Sequence, residues 1–279
     1  MKRKFVAAKV NINQNIFSNE LESLIELIAD AIKAKKVLKS SRSKWTWKFT
    51  DIKEDKDETK WYITANFVKS RIESKMIVDG DKTDLYKIPK PVAYLSYFFY
   101  DVNNEILIFE ETGDIQREHF IDAFERIIFQ SNLKIGKIEV KLIPKEDSVR
   151  DQIMSMEHLT KIEFDLIPPN MIPKDAYKDL GDILNKEKAL RLKTVLENED
   201  GLNKDGLMVK SGIEMVQNGY GEVKAYGYSR VKSKRGTRKK QHTFKSKDSI
   251  EMVQVERTKS DNITGLLEKF RQRVYNILH

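Results

Sequence analysis

The chain has 279 residues, 40% of them hydrophobic and 34% charged, with 12 Gly, 6 Pro and a net charge of +8. That balance excludes a disordered or fibrous chain and fits one large domain or two smaller ones. There is no cysteine, which excludes a disulfide framework, a Cys-based zinc site and thiol chemistry, and is in keeping with a reducing cytoplasm.

The opening Met1-Lys2-Arg3-Lys4-Phe5 is basic, but Lys9 and Asn11 interrupt the apolar run behind it too early for a signal-peptide core. Phe5–Ile12 reads as a strand. Ser18 is a candidate N-cap, and Leu21, Leu24, Ile25, Ile28, Ala31 and Ile32 follow helical spacing behind it, with Lys33, Lys35, Lys36 and Lys39 clustered at the end. Trp45 and Trp47 alternate with polar neighbours as in a strand, and 51–59 reads as a charged turn. Strands are expected at 61–67 and 72–78, the second closing on Asp79-Gly80-Asp81.

Pro89 and Pro91 mark a break. Val92–Tyr100 is the longest apolar stretch; as a helix it is too short to span a bilayer, so the chain reads as soluble. With Glu105–Glu110 it flanks Asp101-Val102-Asn103-Asn104, a hairpin loop. Beyond Gly113-Asp114 the spacing of Phe120, Ala123, Phe124, Ile127 and Ile128 predicts a helix. Ile138–Ile143 and Leu159–Ile167 alternate as strands, the second with Ile162, Phe164 and Leu166 on one side and Lys161, Glu163 and Asp165 on the other.

Pro168-Pro169 is the clearest boundary, dividing an N-terminal core, 1–168, from a C-terminal domain, 169–279. In the latter, 173–198 reads as helical with a break near Gly181, 207–209 as a short strand and 213–217 as a short helix. Ile250–Val255 reads as a strand. Asp261 or Asn262 caps a final helix, whose stripe of Ile263, Leu266, Leu267, Phe270, Val274, Ile277 and Leu278 needs a partner, either the N-terminal part or a second copy. Alternating strands mixed with helices predict an α+β architecture with largely antiparallel sheets.

The most informative segment is 223–247. It holds Lys224, Arg230, Lys232, Lys234, Arg235, Arg238, Lys239, Lys240, Lys245 and Lys247 and no Asp or Glu, so the rest of the chain sums to −2. Such a block repels itself unless a polyanion sits against it. Alternation along 222–231 places Lys224, Tyr226, Tyr228, Arg230 and Lys232 on one face of a strand, with 234–240 as the loop tip and 241–244 returning. A basic ribbon of this kind grips phosphates with Lys and bidentate Arg, while Tyr226 and Tyr228 are placed to stack on bases or touch sugars. Nothing in the run reads base edges, so the binding expected is independent of sequence.

Motifs for other chemistry are sparse. His119, His158, His242 and His279 have no metal-ligand spacing, and there is no phosphate-binding Gly-rich loop or nucleophile elbow. No metal and no cofactor is therefore expected. Two strand-borne Glu-x-Lys pairs, Glu139/Lys141 and Glu222/Lys224, the second preceded by Asp205, leave a metal-dependent nuclease as a rival reading. An acidic protein partner for the basic loop is a third.

The order of segments resembles the RexA-like proteins of the lambda-type phage exclusion system. The resemblance is carried by the 93–100/105–110 hairpin, the helix after Gly113-Asp114, 138–143, and Met154-Ser155-Met156-Glu157-His158-Leu159 leading into 161–166. It extends through a polar hairpin and a terminal amphipathic helix. It implies a cytoplasmic homodimer that binds DNA without sequence preference and signals to a separate membrane protein in abortive infection.

Overall fold

A computed structural model of the chain describes residues 2–12, 21–40, 43–132, 135–145, 147–169, 174–233, 236–250, 252–256 and 263–278. The fold is α+β and mostly sheet, with antiparallel strand pairing, as the alternating strands predict. The chain clusters into two units. One comprises Met1–Phe5, Gln14–Ile138 and Gln254–Phe270; the other comprises Val6–Asn13, Glu139–Val253 and Arg271–His279. The division thus falls at 138/139 and not at Pro168-Pro169, and both chain ends are shared.

Strand β1 (Lys2–Ile12) begins the chain, followed by α1 (Leu21–Lys33), β2 (Val37–Lys39), β3 (Thr46–Lys56) and β4 (Trp61–Arg71). A separate two-stranded ribbon, β5 (Ser74–Asp79) and β6 (Lys82–Lys87), precedes β7 (Val92–Asp101), β8 (Ile106–Glu111) and α2 (Arg117–Ser131). The first unit's strands lie in the order β8-β7-β4-β3-β2. Helix α2 buries Phe120, Ala123, Phe124, Ile127 and Ile128, the stripe its spacing predicts. These meet an aromatic core: Phe109 stacks on Phe120 with centroids 4.0 Å apart, and Phe49 on Phe67 at 4.9 Å. The expected turn at 51–59 is shorter, because β3 continues to Lys56 in register with Trp61. Asp57 then closes the reversal by accepting hydrogen bonds from Thr59 and Lys60.

The second unit contains β9 (Ile138–Leu142), α3 (Ser148–Met154), β10 (His158–Leu166), α4 (Lys178–Lys186), β11 (Leu192–Glu197), α5 (Leu207–Gln217), β12 (Gly221–Ser233) and β13 (Gly236–Lys245). Its four-stranded sheet has the order β11-β10-β12-β13. Strand β10 is paired on both sides by strands that follow it, which is why it groups with the C-terminal half. Ile162, Phe164, Leu166, Val223, Ala225 and Phe244 form the buried side of this sheet, against Leu180, Leu184, Ile213 and Val216.

Two readings of this region are corrected. The 173–198 stretch is helical only over α4 and a short turn before it, and 192–197 is a strand. Its Lys and Glu content resembles a solvated helix, but pairing with β10 covers its backbone while Leu192 and Leu196 pack on the core. The separate strand and helix expected across 207–217 are one helix, α5. Its Val209, Ile213 and Val216 are buried at helical spacing, and burial overrides the β preference of Val and Ile. Gly212 belongs there because a Cβ would lie 2.7 Å from the Phe164 ring.

Strand β14 (Met252–Glu256) and helix α6 (Ile263–Leu278) end the chain. Phe270 and Val274 of the predicted stripe are buried, and the Phe270 ring lies 4.9 Å from that of Phe5 and 5.7 Å from that of Phe99. The expected caps Ser18, Asp261 and Asn262 lie outside the described residues.

Candidate nucleic-acid interface

Strands β12 and β13 pair antiparallel from Lys224↔Lys245 outward to Ser233↔Gly236. The basic segment is therefore a ribbon, and 236–240 belong to its second strand, not to a loop tip. The register with β12 runs unbroken to Ser233, so the second strand keeps its pairing to Gly236. Lys234 and Arg235, the expected tip, lie outside the described residues.

Register sorts the side chains. One face carries Lys224, Tyr226, Tyr228, Arg230 and Lys232 with Lys245, Gln241 and Lys239 opposite or beside them. The other carries Val223, Ala225, Gly227, Ser229 and Val231 with Phe244, His242, Lys240 and Arg238. Near the base the second face is core, since Ala225 and Phe244 are buried. Towards the far end both faces open, and Arg230, Lys232, Arg238, Lys239 and Lys240 are all exposed.

Charge compensation differs between the two halves. At the base, Lys224 Nζ lies 4.0 Å from Glu163 and Lys247 Nζ lies 2.9 Å from Glu222. Lys141 Nζ sits 3.6 Å from both Glu139 and Glu222, and Arg191 pairs with Asp165 through two short hydrogen bonds. Burial would raise the Asp165 carboxyl, but the Arg191 guanidinium outweighs it and holds the group below the usual range. In the far half, among the described residues, Lys232, Arg238, Lys239 and Lys240 have no carboxylate within ion-pair distance. The Arg230 backbone N–H donates to Glu157 at 2.6 Å, and that bond holds the Glu157 carboxyl below its ordinary range.

The rival catalytic pattern is only partly assembled. Glu139, Lys141 and Glu222 come together, but Lys224 turns to Glu163 and Asp205 pairs with Lys210 at 3.1 Å. Each carboxylate in the group already holds a cation. Among the described residues no three His, Asp or Glu side chains are placed to hold a metal ion.

The two tyrosines differ. Tyr226 is half-buried, with Lys161 Nζ 5.9 Å from its ring centroid. Tyr228 is only 7% exposed; its ring stacks on His158 with centroids 4.7 Å apart, and Lys239 Nζ lies over it at 4.3 Å. Tyr228 thus packs the ribbon onto β10 and has no free face for a base. Neither His158 nor the compensating role of Glu163 and Glu222 is visible from residue spacing, although the Glu163 face of β10 is.

A family model described as Domain of unknown function (DUF4747) matches residues 3–272. The chain belongs to this family. The DUF4747 match takes in both units and the whole ribbon, from the paired base to the free end. No curated protein matches the chain. No described helix of this DUF4747 chain is long and apolar enough to cross a membrane.

Proposed function

We propose that this protein binds nucleic acid without sequence preference through the far half of the β12–β13 ribbon, with double-stranded DNA as the favoured form. The supporting observation is the asymmetry of compensation. Carboxylates stand beside Lys224 and Lys247 where the ribbon meets its core, whereas Lys232, Arg238, Lys239 and Lys240, and Lys245 nearer the base, stand exposed without them. Cations left this way repel one another, and a phosphate backbone relieves that repulsion while releasing counterions. The ribbon's width suits a groove or a backbone track, and its side chains are phosphate binders, not base readers. The preference for DNA, the role in phage defence, the homodimer and a membrane-protein effector rest on the resemblance to RexA-like proteins alone.

The test is fluorescence anisotropy with two duplexes of unrelated sequence and one single strand. Wild-type protein is expected to bind both duplexes with equal affinity, more tightly than the single strand. Replacing Arg238, Lys239 and Lys240 by Ala should weaken binding to every sequence alike. Replacing Lys247, already paired with Glu222, should leave binding nearly unchanged. Protein that ignores all three probes in low salt, or the two variants behaving identically, would overturn the reading.

A further inference from the structure

The β5–β6 ribbon has a second, separate property. All twelve of its residues are exposed, and they include Met76 at 63%, Val78 at 78% and Leu85 at 64%. Two strands alone form a marginal structure in water, and a flat apolar edge invites pairing with another strand. The ribbon carries none of the usual protections on β5: no Pro, no bulge, and a single Lys.

The outward-facing backbone groups follow from register. Ile88 N–H donates to Glu73 O at 2.9 Å, and β5 pairs with β6 as Lys75↔Tyr86, Ile77↔Asp84 and Asp79↔Lys82. Hydrogen-bonded and non-hydrogen-bonded pairs alternate, so Glu73, Lys75, Ile77 and Asp79 spend their N–H and C=O groups on β6. Ser74, Met76 and Val78 turn theirs outward, to the edge where, among the described residues, the two-stranded sheet has no further strand.

We propose that this edge is a self-association site, in which β5 pairs antiparallel with β5 of a second copy about a two-fold axis at Ile77. The sequence Lys75-Met76-Ile77-Val78-Asp79 reads against its own reverse as a complementary set. Lys75 meets the second copy's Asp79, Met76 meets Val78, and Ile77 meets Ile77. The outward groups of Met76 and Val78 then supply the ladder hydrogen bonds, twice over. Met76, Val78 and Leu85 from each copy share one face, and the two Lys–Asp pairs flank the Ile77 contact on the other. Moving the axis to Met76 would set Glu73 against Asp79, and moving it to Val78 would set Ile77 against Asp79, so one register is selected. The β6 edge offers no such match: with its axis at Leu85 it sets Asp84 against Tyr86 and Thr83 against Lys87. A two-strand contact lies at the small end of interface sizes, so the dimer is expected to depend on concentration.

Light scattering across a concentration series reads the oligomer directly. Wild-type protein should move from monomer to dimer as concentration rises. Asp79→Lys, which places Lys opposite Lys75, should shift that transition at least tenfold upward. The double variant Lys75→Asp/Asp79→Lys, which restores opposite charges, should bring it back. Because the chain has no cysteine, Ile77→Cys creates a lone thiol at a non-hydrogen-bonded pair, where Cα atoms lie about 4.5 Å apart, within disulfide range. Oxidised glutathione should convert it to a covalent dimer. Leu85→Cys, separated from its copy by three strand spacings or about 14 Å, should stay unlinked. Should Asp79→Lys disturb the hairpin itself, the Ile77→Cys cross-link still reads the pairing. A protein that stays monomeric at every concentration overturns the proposal. So does a dimer that is indifferent to Asp79→Lys and does not cross-link through residue 77, which would place the contact on another surface.

Discussion

The ribbon's register makes a quantitative prediction about which of its faces meets phosphate. Arg230, Lys232 and Lys239 share one face, and Arg238 and Lys240 share the other. The first face continues into the polar side of the sheet, with Lys245 further along, whereas the second runs into the buried Ala225 and Phe244. A duplex has room to lie along the first and meets only two cations on the second. Each phosphate neutralised contributes about 0.9 to the slope of log K against log salt. Three contacts therefore contribute about 2.7, which alone gives a roughly 40-fold fall in affinity between 50 and 200 mM salt. Anisotropy titrations at four salt concentrations supply the slope. The triple variant Arg230→Ala/Lys232→Ala/Lys239→Ala should reduce it by about 2.7, and Arg238→Ala/Lys240→Ala by about 1 or less. Equal losses from the two variants, or an unchanged slope in the triple variant, would refute the one-faced geometry.

Tyr228→Ala is expected to destabilise the protein by about 3 kcal/mol, as for other buried aromatic truncations, since the ring is stacked on His158 and covered by Lys239. Tyr228→Phe should retain both stability and DNA affinity; denaturant unfolding and anisotropy together check that the ring acts through packing. Gly227→Ala should cost about 1–3 kcal/mol, because a Cβ there would stand 2.3 Å from the His158 carbonyl; an unchanged unfolding midpoint would contradict the close β10–β12 approach. Asp57 is held at about 2 by the Thr59 backbone N–H first, and then by the Thr59 hydroxyl and the Lys60 amide. A depressed carboxyl contributes stability above its unfolded value of 3.8 and loses it as pH falls from there through about 2. Carboxyl-carbon NMR titration should show a midpoint well below 3.8, and Asp57→Ala should remove that acid-sensitive part of the stability.

Much of the fold is legible in the sequence where a single periodicity persists. Helix α2 shows its buried stripe residue for residue, and β10 its alternation, because in both the period decides burial without help from distant residues. Strand β11 and helix α5 are not legible. Leu192, Thr194 and Leu196 do alternate, but in a stretch rich in Lys and Glu the same residues fit a helix equally well, and only pairing with β10 decides. In α5 the segment 207–209 reads as a strand and 213–217 as a separate helix, and it is the burial of Val209, Ile213 and Val216 at one helical spacing that joins them. The basic block itself stands out by charge alone. What spacing could not supply was which of its members are already neutralised, since Glu163 lies 61 positions before Lys224 in the chain.

That distinction separates stability from binding within one short ribbon. At the base, cations and carboxylates sit close together on the wet side of the sheet, where each exposed pair is worth about 1 kcal/mol or less. Lys224 and Lys247 are matched there, and the β10–β12 contact with Tyr228 and Gly227 can pack tightly. At the far end the side chains face water on both sides, so unmatched charge costs only the repulsion among neighbours, which salt screens over about 8–10 Å. Lys239 also covers the Tyr228 ring, but Lys232, Arg238 and Lys240 can be lost one at a time with little harm to the fold. Neutralising them should even raise stability slightly at low salt while binding falls. The opposite outcome, a fold that weakens as Lys232, Arg238 and Lys240 are removed, would mean that these side chains hold the protein together and are not kept for a polyanion.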